Sequence, residues 1–398
     1  MHTDILIIGA GIIGVTIALE LKKRFPDQKI LVIEKESVPG LHASGRNSGV
    51  LHAGFYYTAD SLKARFCREG NRAMTAYCLE KKLKINQNSK LVITKDEAEL
   101  KTLQTLYDRG IKNGVHLKLI SEQEARQIEP RVRTIKQAIF SPDTSSVDPM
   151  EVLQSLIQDA EQNGIAFLYN EQFISHNQKE KIVKTTNRII NVGFVINAAG
   201  LYADKIAKQY GFSAHYEIVP FKGLYLYSDE PVGTLKTHIY PVPDLNYPFL
   251  GVHFTITAHG KIKIGPTAIP AFWREQYQRL NRFSISEMTS ILKREAILFG
   301  QNKFHFREVA LQELKKYSKK FMANQAAYMI DDFSADHYKT WGKPGIRAQL
   351  IDVRNGSLVS DFCYEGDKHS FHVLNAVSPA FTCSLPFAAY LVDEMRFR

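Results

Sequence analysis

A short apolar strand, Asp4-Ile-Leu-Ile-Ile, runs straight into Gly9-Ala-Gly11-Ile-Ile-Gly14, and an acid, Glu34, stands twenty residues beyond the last of these glycines. Each glycine answers a steric need. Gly9 permits a tight turn, Gly11 lets the backbone approach a pyrophosphate, and Gly14 lets the following helix pack close to the strand, so that phosphate charge meets helix N-terminal N–H groups. Glu34, with Lys35 beside it, ends a second strand read over 29–34, where a carboxylate accepts hydrogen bonds from ribose hydroxyls. The pattern reads as a dinucleotide-binding βαβ unit; a buried βα turn that merely needs glycines is the alternative. By itself the motif does not choose between a flavin and a nicotinamide nucleotide.

Composition bounds the rest. The 398 residues, 44% of them hydrophobic, suffice for two domains. No apolar run approaches the roughly eighteen residues a membrane helix needs, and the first strand begins close to Met1, so neither anchor nor leader is expected. Cys67, Cys78, Cys363 and Cys383 lack metal-ligand or C-x-x-C spacing, which favours reduced thiols, no metal site and a cytoplasmic setting. The net charge of +10 is dispersed rather than gathered into a tract, which favours a solvated basic surface over a nucleic-acid partner and leaves peripheral contact with an anionic membrane open.

The remaining chain divides by pattern. A helical stretch is expected from after Tyr57 to about Leu83, a strand over 89–94, and a charged helix carrying Leu100, Leu103, Leu106 and Tyr107. Asp148-Pro149 starts a helix that Gly164 ends, and 194–200 reads as a buried strand. From 218 to 267, β-branched and aromatic runs broken by proline and glycine suggest an antiparallel sheet, followed by a helical region over about 284–312. Strands are expected around 345–352, 358–364 and 371–374, then a last helix over about 380–395. The architecture expected is α/β, α+β overall: a Rossmann-like nucleotide domain made of 1–84, 145–215 and 336–398, and an inserted substrate domain with a mixed or antiparallel sheet, made of 85–144 and 216–335. No second glycine triplet follows a strand, so the electrons should come from an organic substrate rather than from a nicotinamide cofactor.

After Glu34 comes Ser44-Gly-Arg46-Asn47-Ser48-Gly49-Val-Leu-His52-Ala-Gly-Phe-Tyr-Tyr57, small and polar enough to run beside a flat ring system and offer it N–H groups. With 198–204, Ile218–Gly223, Ile239–Asp244, Pro248–Phe254, Gly265-Pro266, Gly345–Gln349 and Ser378–Ala380, it resembles, in order along nearly the whole chain, the FAD-dependent D-amino-acid-oxidase-type superfamily. Within that superfamily it is similar to the L-2-hydroxyglutarate dehydrogenase/oxidase family. The resemblance implies bound FAD and oxidation of a 2-hydroxy acid, above all L-2-hydroxyglutarate to 2-oxoglutarate, by hydride transfer to flavin N5, with oxygen or quinone taking the electrons. An amino acid, an amine or glycerol 3-phosphate is the rival donor, and a catalytically silent flavin-binding protein the rival from another class.

The same resemblance distributes roles. Gly9, Gly11, Gly14, Glu34, Lys35, Ser44, Arg46, Asn47, Ser48, Gly49, Ala199, Gly200, Ser378, Pro379 and Ala380 fall where the cofactor is held. Arg347, in Gly345-Ile-Arg347, suits a two-point grip on the substrate carboxylate; a structural ion pair is its other reading. His52 and His253 are the acid–base candidates, since a neutral imidazole suits removal of an alcohol proton. His52 serves equally as a flavin hydrogen-bonding or structural residue, and His253 as a satisfied core histidine. Tyr57, Lys222 and Tyr240 are further substrate contacts. The chain departs from the family pattern at Lys222 and Leu224, where arginine and an acid are usual, at Thr267, where asparagine is usual, and at Phe381. The flavin machinery thus reads as intact and the substrate pocket as altered.

Overall fold

A computed structural model describes residues 1–244 and 250–396; Pro248 and Phe249 of the expected motif lie outside the described residues. The chain forms two compact units, 1–47 with 149–218 and 348–398, and 48–148 with 219–347.

The first unit is a Rossmann-like layer. Its parallel core runs Ala166–Leu168, Ile30–Ile33, His2–Ile8, Ile189–Asn197, Ser370–Asn375 in spatial order. Phe173–Asn177 and Ile182–Thr185 extend one side as an antiparallel meander, and Cys363–Gly366 pairs antiparallel with Ser370–Asn375. The continuous apolar runs Ile-Leu-Val-Ile and Phe-Val-Ile are those of strands covered on both faces. One cover is the helix Ile12–Arg24, which packs on Pro149–Gln162 and Ala380–Glu394 and is tied to the last by Arg24 Nη2 donating to the Ala389 carbonyl, 3.1 Å. Parallel register brings the C-terminal ends of four strands to one edge, where Gly9, Glu34, Ala199 and Ser378 follow them. In open α/β sheets this is the edge that takes ligands.

The second unit is built on an eight-stranded sheet in the order Tyr338–Trp341, Leu226–Ser228, Ile262–Gly265, His253–Ile256, His238–Pro241, Lys90–Ile93, Gln137–Ser141, Lys118–Ser121. A core of Leu91, Ile93, Leu226, Ile239, Phe254, Ile264 and Met322 covers one face, and Phe55, Val92, Leu103, Leu106, Ile139 and Tyr240 form a second cluster. Val50–Leu51, Ser145–Val147 and Ile85–Asn86 make a small antiparallel sheet.

Four expectations are corrected. The first boundary lies at residue 47 rather than 84, because Val50–Leu51 pairs with Ser145–Val147, and Asn71 of the helix Leu62–Glu80 donates to the carbonyls of Leu51 and Asp143. Residues 145–148 and 336–347 belong to the second unit for the same kind of reason, Tyr338–Trp341 being laddered to Leu226–Ser228. The sheet itself is mixed, one of the two forms expected, with a parallel pair of His238–Pro241 and Lys90–Ile93 among antiparallel neighbours. The helical region near 284–312 is two helices, Ile285–Gln301 and Phe306–Lys315, interrupted where Asn302 and His305 turn left-handed. The strand expected over 358–364 is split into Ser357–Leu358 and Cys363–Gly366, since the Asn375 amide takes the carbonyls of Val359 and Asp361 that a ladder would need.

Candidate active site

At the edge of the first unit the backbone does most of the work. Gly9 has φ +108°, and a Cβ there would lie 2.6 Å from the Ala198 carbonyl oxygen; a Cβ on Gly14 would lie 2.0 Å from the Gly9 oxygen. The helix begun at Ile12 has no acid in its first turn, so its positive end is not neutralised locally. Ser44 Oγ accepts from Ile12 N at 2.9 Å, pinning the small-residue segment to the glycine turn, while Asn47 Nδ2 donates to the Ser44 carbonyl at 2.8 Å. Glu34 sits just past its strand with Oε2 accepting from Ala10 N at 3.0 Å and Oε1 from Glu36 N at 3.1 Å. Ala199 lies against the same turn, its Cα 3.4 Å from where a Gly9 Cβ would be, and Gly200 follows it with φ +53°. Lys35 pairs with Glu36 at 2.7 Å, and Arg46 donates to the Leu41 carbonyl. Ser378 and Pro379 precede the helix Ala380–Glu394, which also lacks an acid in its first turn. Phe381 is half-buried within that first turn. A steric cradle that no Cβ fits, a helix N-terminus with no acid in its first turn and a strand-end carboxylate are what a dinucleotide such as FAD requires.

Ser48 and Gly49 belong to the second unit, where the Ser48 carbonyl accepts from Lys263 Nζ at 3.0 Å and Gly49 turns with φ +76°. The loop that follows is clamped: Cys67 Sγ donates to the His52 carbonyl, Asn113 Nδ2 to those of Gly54 and Tyr57, and Arg109 to that of Tyr56.

The expected substrate residues gather in this unit. Tyr240 and His253 stack with ring centroids 3.7 Å apart. His253 Nδ1 lies 2.8 Å from the Gly251 carbonyl, which only accepts, so Nδ1 carries the proton and Nε2 presents a lone pair. Burial, reinforced by Lys90, pushes His52 down to about 3. Burial likewise carries His253 down to about 3 against the Gly251 hydrogen bond, with Lys90, Lys263 and Lys316 adding to the shift. Both imidazoles are therefore neutral at ordinary pH. Arg347, depressed by burial, has Tyr225, Glu313 and Tyr57 as its electrostatic neighbours. Lys222 is buried, pushed down to about 8 by desolvation, with its Nζ 5.9 Å from the centre of the Tyr317 ring. Thr267 Oγ donates to the Lys222 carbonyl at 2.8 Å and accepts from Leu224 N at 3.0 Å, so this departure from the pattern holds the strand end in place.

Three contributors escape a reading of the sequence. Lys263, pushed down to about 8 by burial, lies 4.4 Å from the Tyr225 ring centre, and Lys90 sits inside a cage of rings. His238 is a third buried imidazole, its Nδ1 accepting from Ile256 N at 3.0 Å. Lys90 opens an apolar strand and Lys263 alternates with isoleucines, a pattern that usually marks a wet face; here both faces are buried.

A Rossmann edge shaped for a dinucleotide, with a second unit offering buried cations and neutral imidazoles, defines a flavin-type oxidoreductase. Residues 4–394 match the family model of FAD dependent oxidoreductases. The human mitochondrial L-2-hydroxyglutarate dehydrogenase is 35% identical over 99% of this chain and 89% of its own length. The L-2-hydroxyglutarate dehydrogenase of Escherichia coli K12 is 33% identical over 99% of this chain and 93% of its own. The chain therefore belongs to the FAD-dependent oxidoreductases and, among them, to the family of the L-2-hydroxyglutarate dehydrogenases. In fold it is similar to the L-alpha-glycerophosphate oxidase of Mycoplasma pneumoniae solved with FAD bound, TM-score 0.76 at 21% identity, covering 100% of this chain and 96% of that one. Glycine oxidase from Geobacillus kaustophilus follows at 0.73 and 19%, covering 100% and 95%.

Proposed function

We propose that this chain oxidises L-2-hydroxyglutarate to 2-oxoglutarate. The observation that carries the reading is the cationic interior of the second unit, where Lys222, Lys263 and the neutral base His253 are buried and Arg347 and the neutral His52 are half-buried, an environment suited to a dicarboxylate that carries a hydroxyl. Gly9, Gly11, Gly14, Ser44, Ala199 and the start of the helix at Ala380 would hold the cofactor, with Glu34 toward its ribose. FAD, when bound, supplies the two-electron acceptor for the hydrogen on substrate C2. Arg347 grips the C1 carboxylate with two parallel N–H donors, fixing which face of C2 is presented. Lys222 neutralises the distal carboxylate as a single point charge, a role that lysine fills without the fork that arginine brings. His253 Nε2 accepts the hydroxyl proton as the C2 hydrogen departs, its Nδ1–H kept by Gly251; His52, which His253 influences electrostatically, is the alternative acceptor. Burial withholds water, which strengthens each of these charges.

A steady-state assay with a dye acceptor, following 2-oxoglutarate, tests this reading. Turnover of L-2-hydroxyglutarate in preference to glycerol 3-phosphate, glycine and proline is expected, and turnover of one of those alone would replace it. The electrons then pass to oxygen or to quinone. No helix among the described residues is long and apolar enough to cross a membrane. More than half of the large exposed apolar side chains among them fall between Phe272 and Tyr317, with Ile285, Leu292 and Phe299 one stripe on a single helix. Exposed Lys293, Lys303, Arg307 and Lys315 flank them, a combination that suits an anionic lipid surface and opposes self-association through the same face. Binding to anionic but not zwitterionic vesicles, lost in Ile285→Glu with Leu292→Glu, would favour quinone as acceptor; equal indifference to both would favour oxygen.

A further inference from the structure

Lys90 shares the face of its strand with Val92, and period-two alternation sends both into the apolar cluster of Phe55, Leu103 and Tyr240. The side chain is 0% exposed, so the ammonium cannot reach water. Its Nζ makes no hydrogen bond and lies 4.4 Å from the ring centre of Phe55, 4.9 Å from that of Tyr56 and 4.9 Å from that of Tyr240. The hydroxyl of Tyr56 is likewise without a partner. Aromatic faces attract a cation but return only part of its lost hydration, and buried lysines ordinarily come with a carboxylate. A charge placed so expensively points to function rather than to packing.

Three imidazoles face that charge, His52, His238 and His253, and for each of them Lys90 is the strongest charged neighbour. His238 is already committed. Its Nδ1 accepts from Ile256 N, so Nε2 carries the proton toward Ser146 Oγ at 3.2 Å, and the Ser146 hydroxyl donates to the Ile256 carbonyl. His253 differs, having a bound Nδ1–H and a lone pair at Nε2, and its ring stacks on Tyr240, one wall of the cage.

We propose that Lys90 is a positioning residue for proton transfer: its ammonium, held by three aromatic faces instead of a hydrogen-bond acceptor, adds to burial in disfavouring a second positive charge on the His253 imidazole, whose ring stacks on one wall of the cage, and so favours its taking the substrate hydroxyl proton. This rests on His253 being the acceptor in the reaction proposed above. Burial is the largest influence on His253; Lys90, Lys263 and Lys316, from three different segments, add to it, and the Gly251 carbonyl opposes them. One lysine of three governs part of the effect, so its removal should move the imidazole without releasing it fully. Burial pushes Lys90 itself down to about 7, so its charge is present on the acid side, where a histidine would otherwise protonate.

The test compares wild type, Lys90→Met and Lys90→Arg in the FAD-loaded protein. The acid limb of kcat/KM in the wild type should lie below pH 6, under the ordinary histidine range. It should move up by about half to one pH unit in Lys90→Met, stay put in Lys90→Arg, and the wild-type and methionine profiles should converge above about pH 8. A limb unmoved in Lys90→Met overturns the proposal. So does a loss of about 10³-fold or more at every pH with an unmoved limb, which would make Lys90 a group that touches the reacting atoms. Should Lys90→Met not fold, Lys90→Leu takes its place, and an unmoved limb in that variant overturns the proposal. The His253 imidazole carbon shift, followed by NMR without any donor and identified by its loss in His253→Gln, should protonate at higher pH in Lys90→Met than in wild type. That shift occurring without hydroxy-acid turnover would retain the effect on the imidazole and reject only the reaction.

Discussion

The two units handle a ligand in opposite ways. At the edge of the first, the groups that meet a dinucleotide are backbone N–H donors and the space left by missing side chains, with one carboxylate, Glu34, held by Ala10 N. In the second the working groups are long polar side chains carried into an apolar interior, Lys90, Lys222, Lys263, His52 and His253, each displaced from its ordinary titration range by burial. A backbone site needs glycine and fails abruptly when a Cβ appears. A side-chain site spends stability on charge and fails by degrees, through rate and pH range.

The sharpest way to break this contrast is Gly14→Val. With even a Cβ placed 2.0 Å from the Gly9 oxygen, the helix cannot stay against its strand, and no yellow holoprotein should be recovered; full FAD absorbance after purification would break the backbone account. Next, His253→Gln should leave FAD content unchanged and lower kcat by about 10²–10⁴ with KM little altered, the size of effect expected of a general base. If His52→Gln does this and His253→Gln does not, the base is reassigned. Arg347→Ala should cost about 10²–10³ in kcat/KM, mostly through KM, while FAD stays bound, as a lost buried contact to a carboxylate would; release of FAD or unfolding would assign Arg347 to structure. The smallest expected effect has the opposite sign. Lys90→Met should raise the melting temperature at pH 6, because Lys90 has its affinity for protons lowered on folding. The unfolded chain binds the extra proton between about pH 7 and the ordinary lysine range, so stability rises with pH across that window and the full penalty is present below it. Relief of about 2–4 kcal/mol is the scale set by such a shift. An unchanged or lower melting temperature would mean that the ring cage compensates the charge.

The contrast also governs what could be read from the sequence. Gly9 and Gly14 stand out because no other residue type meets a positive φ or a 2.0 Å approach, Gly11 and Glu34 complete the spacing around them, and the strands and helices of the first unit fall close to where their apolar runs and caps place them. Lys90 and Lys263 did not stand out, since a lysine at the start of a strand or between two isoleucines has the pattern of a wet face; only tertiary packing of Phe55, Tyr56, Tyr225 and Tyr240 buries it. The parallel pairing of His238–Pro241 with Lys90–Ile93 joins segments far apart in the chain, beyond the reach of local pattern. The boundary at residue 47 was hidden for a related reason: 48–57 continues the small-residue run in sequence but is laddered to Ser145–Val147 in space. Leu224 and Thr267 read as departures from a family pattern, yet Thr267 bridges the backbone on either side of Gly223.

The most direct measurement is anaerobic stopped-flow absorbance of the FAD-loaded protein mixed with L-2-hydroxyglutarate and, separately, with its D enantiomer. Rapid bleaching by the L form, saturating with concentration and absent with the D form, is the result expected of a pocket in which Arg347 and His253 fix one face of C2. Equal bleaching by both enantiomers, or by neither while an amino acid or glycerol 3-phosphate succeeds, would contradict it.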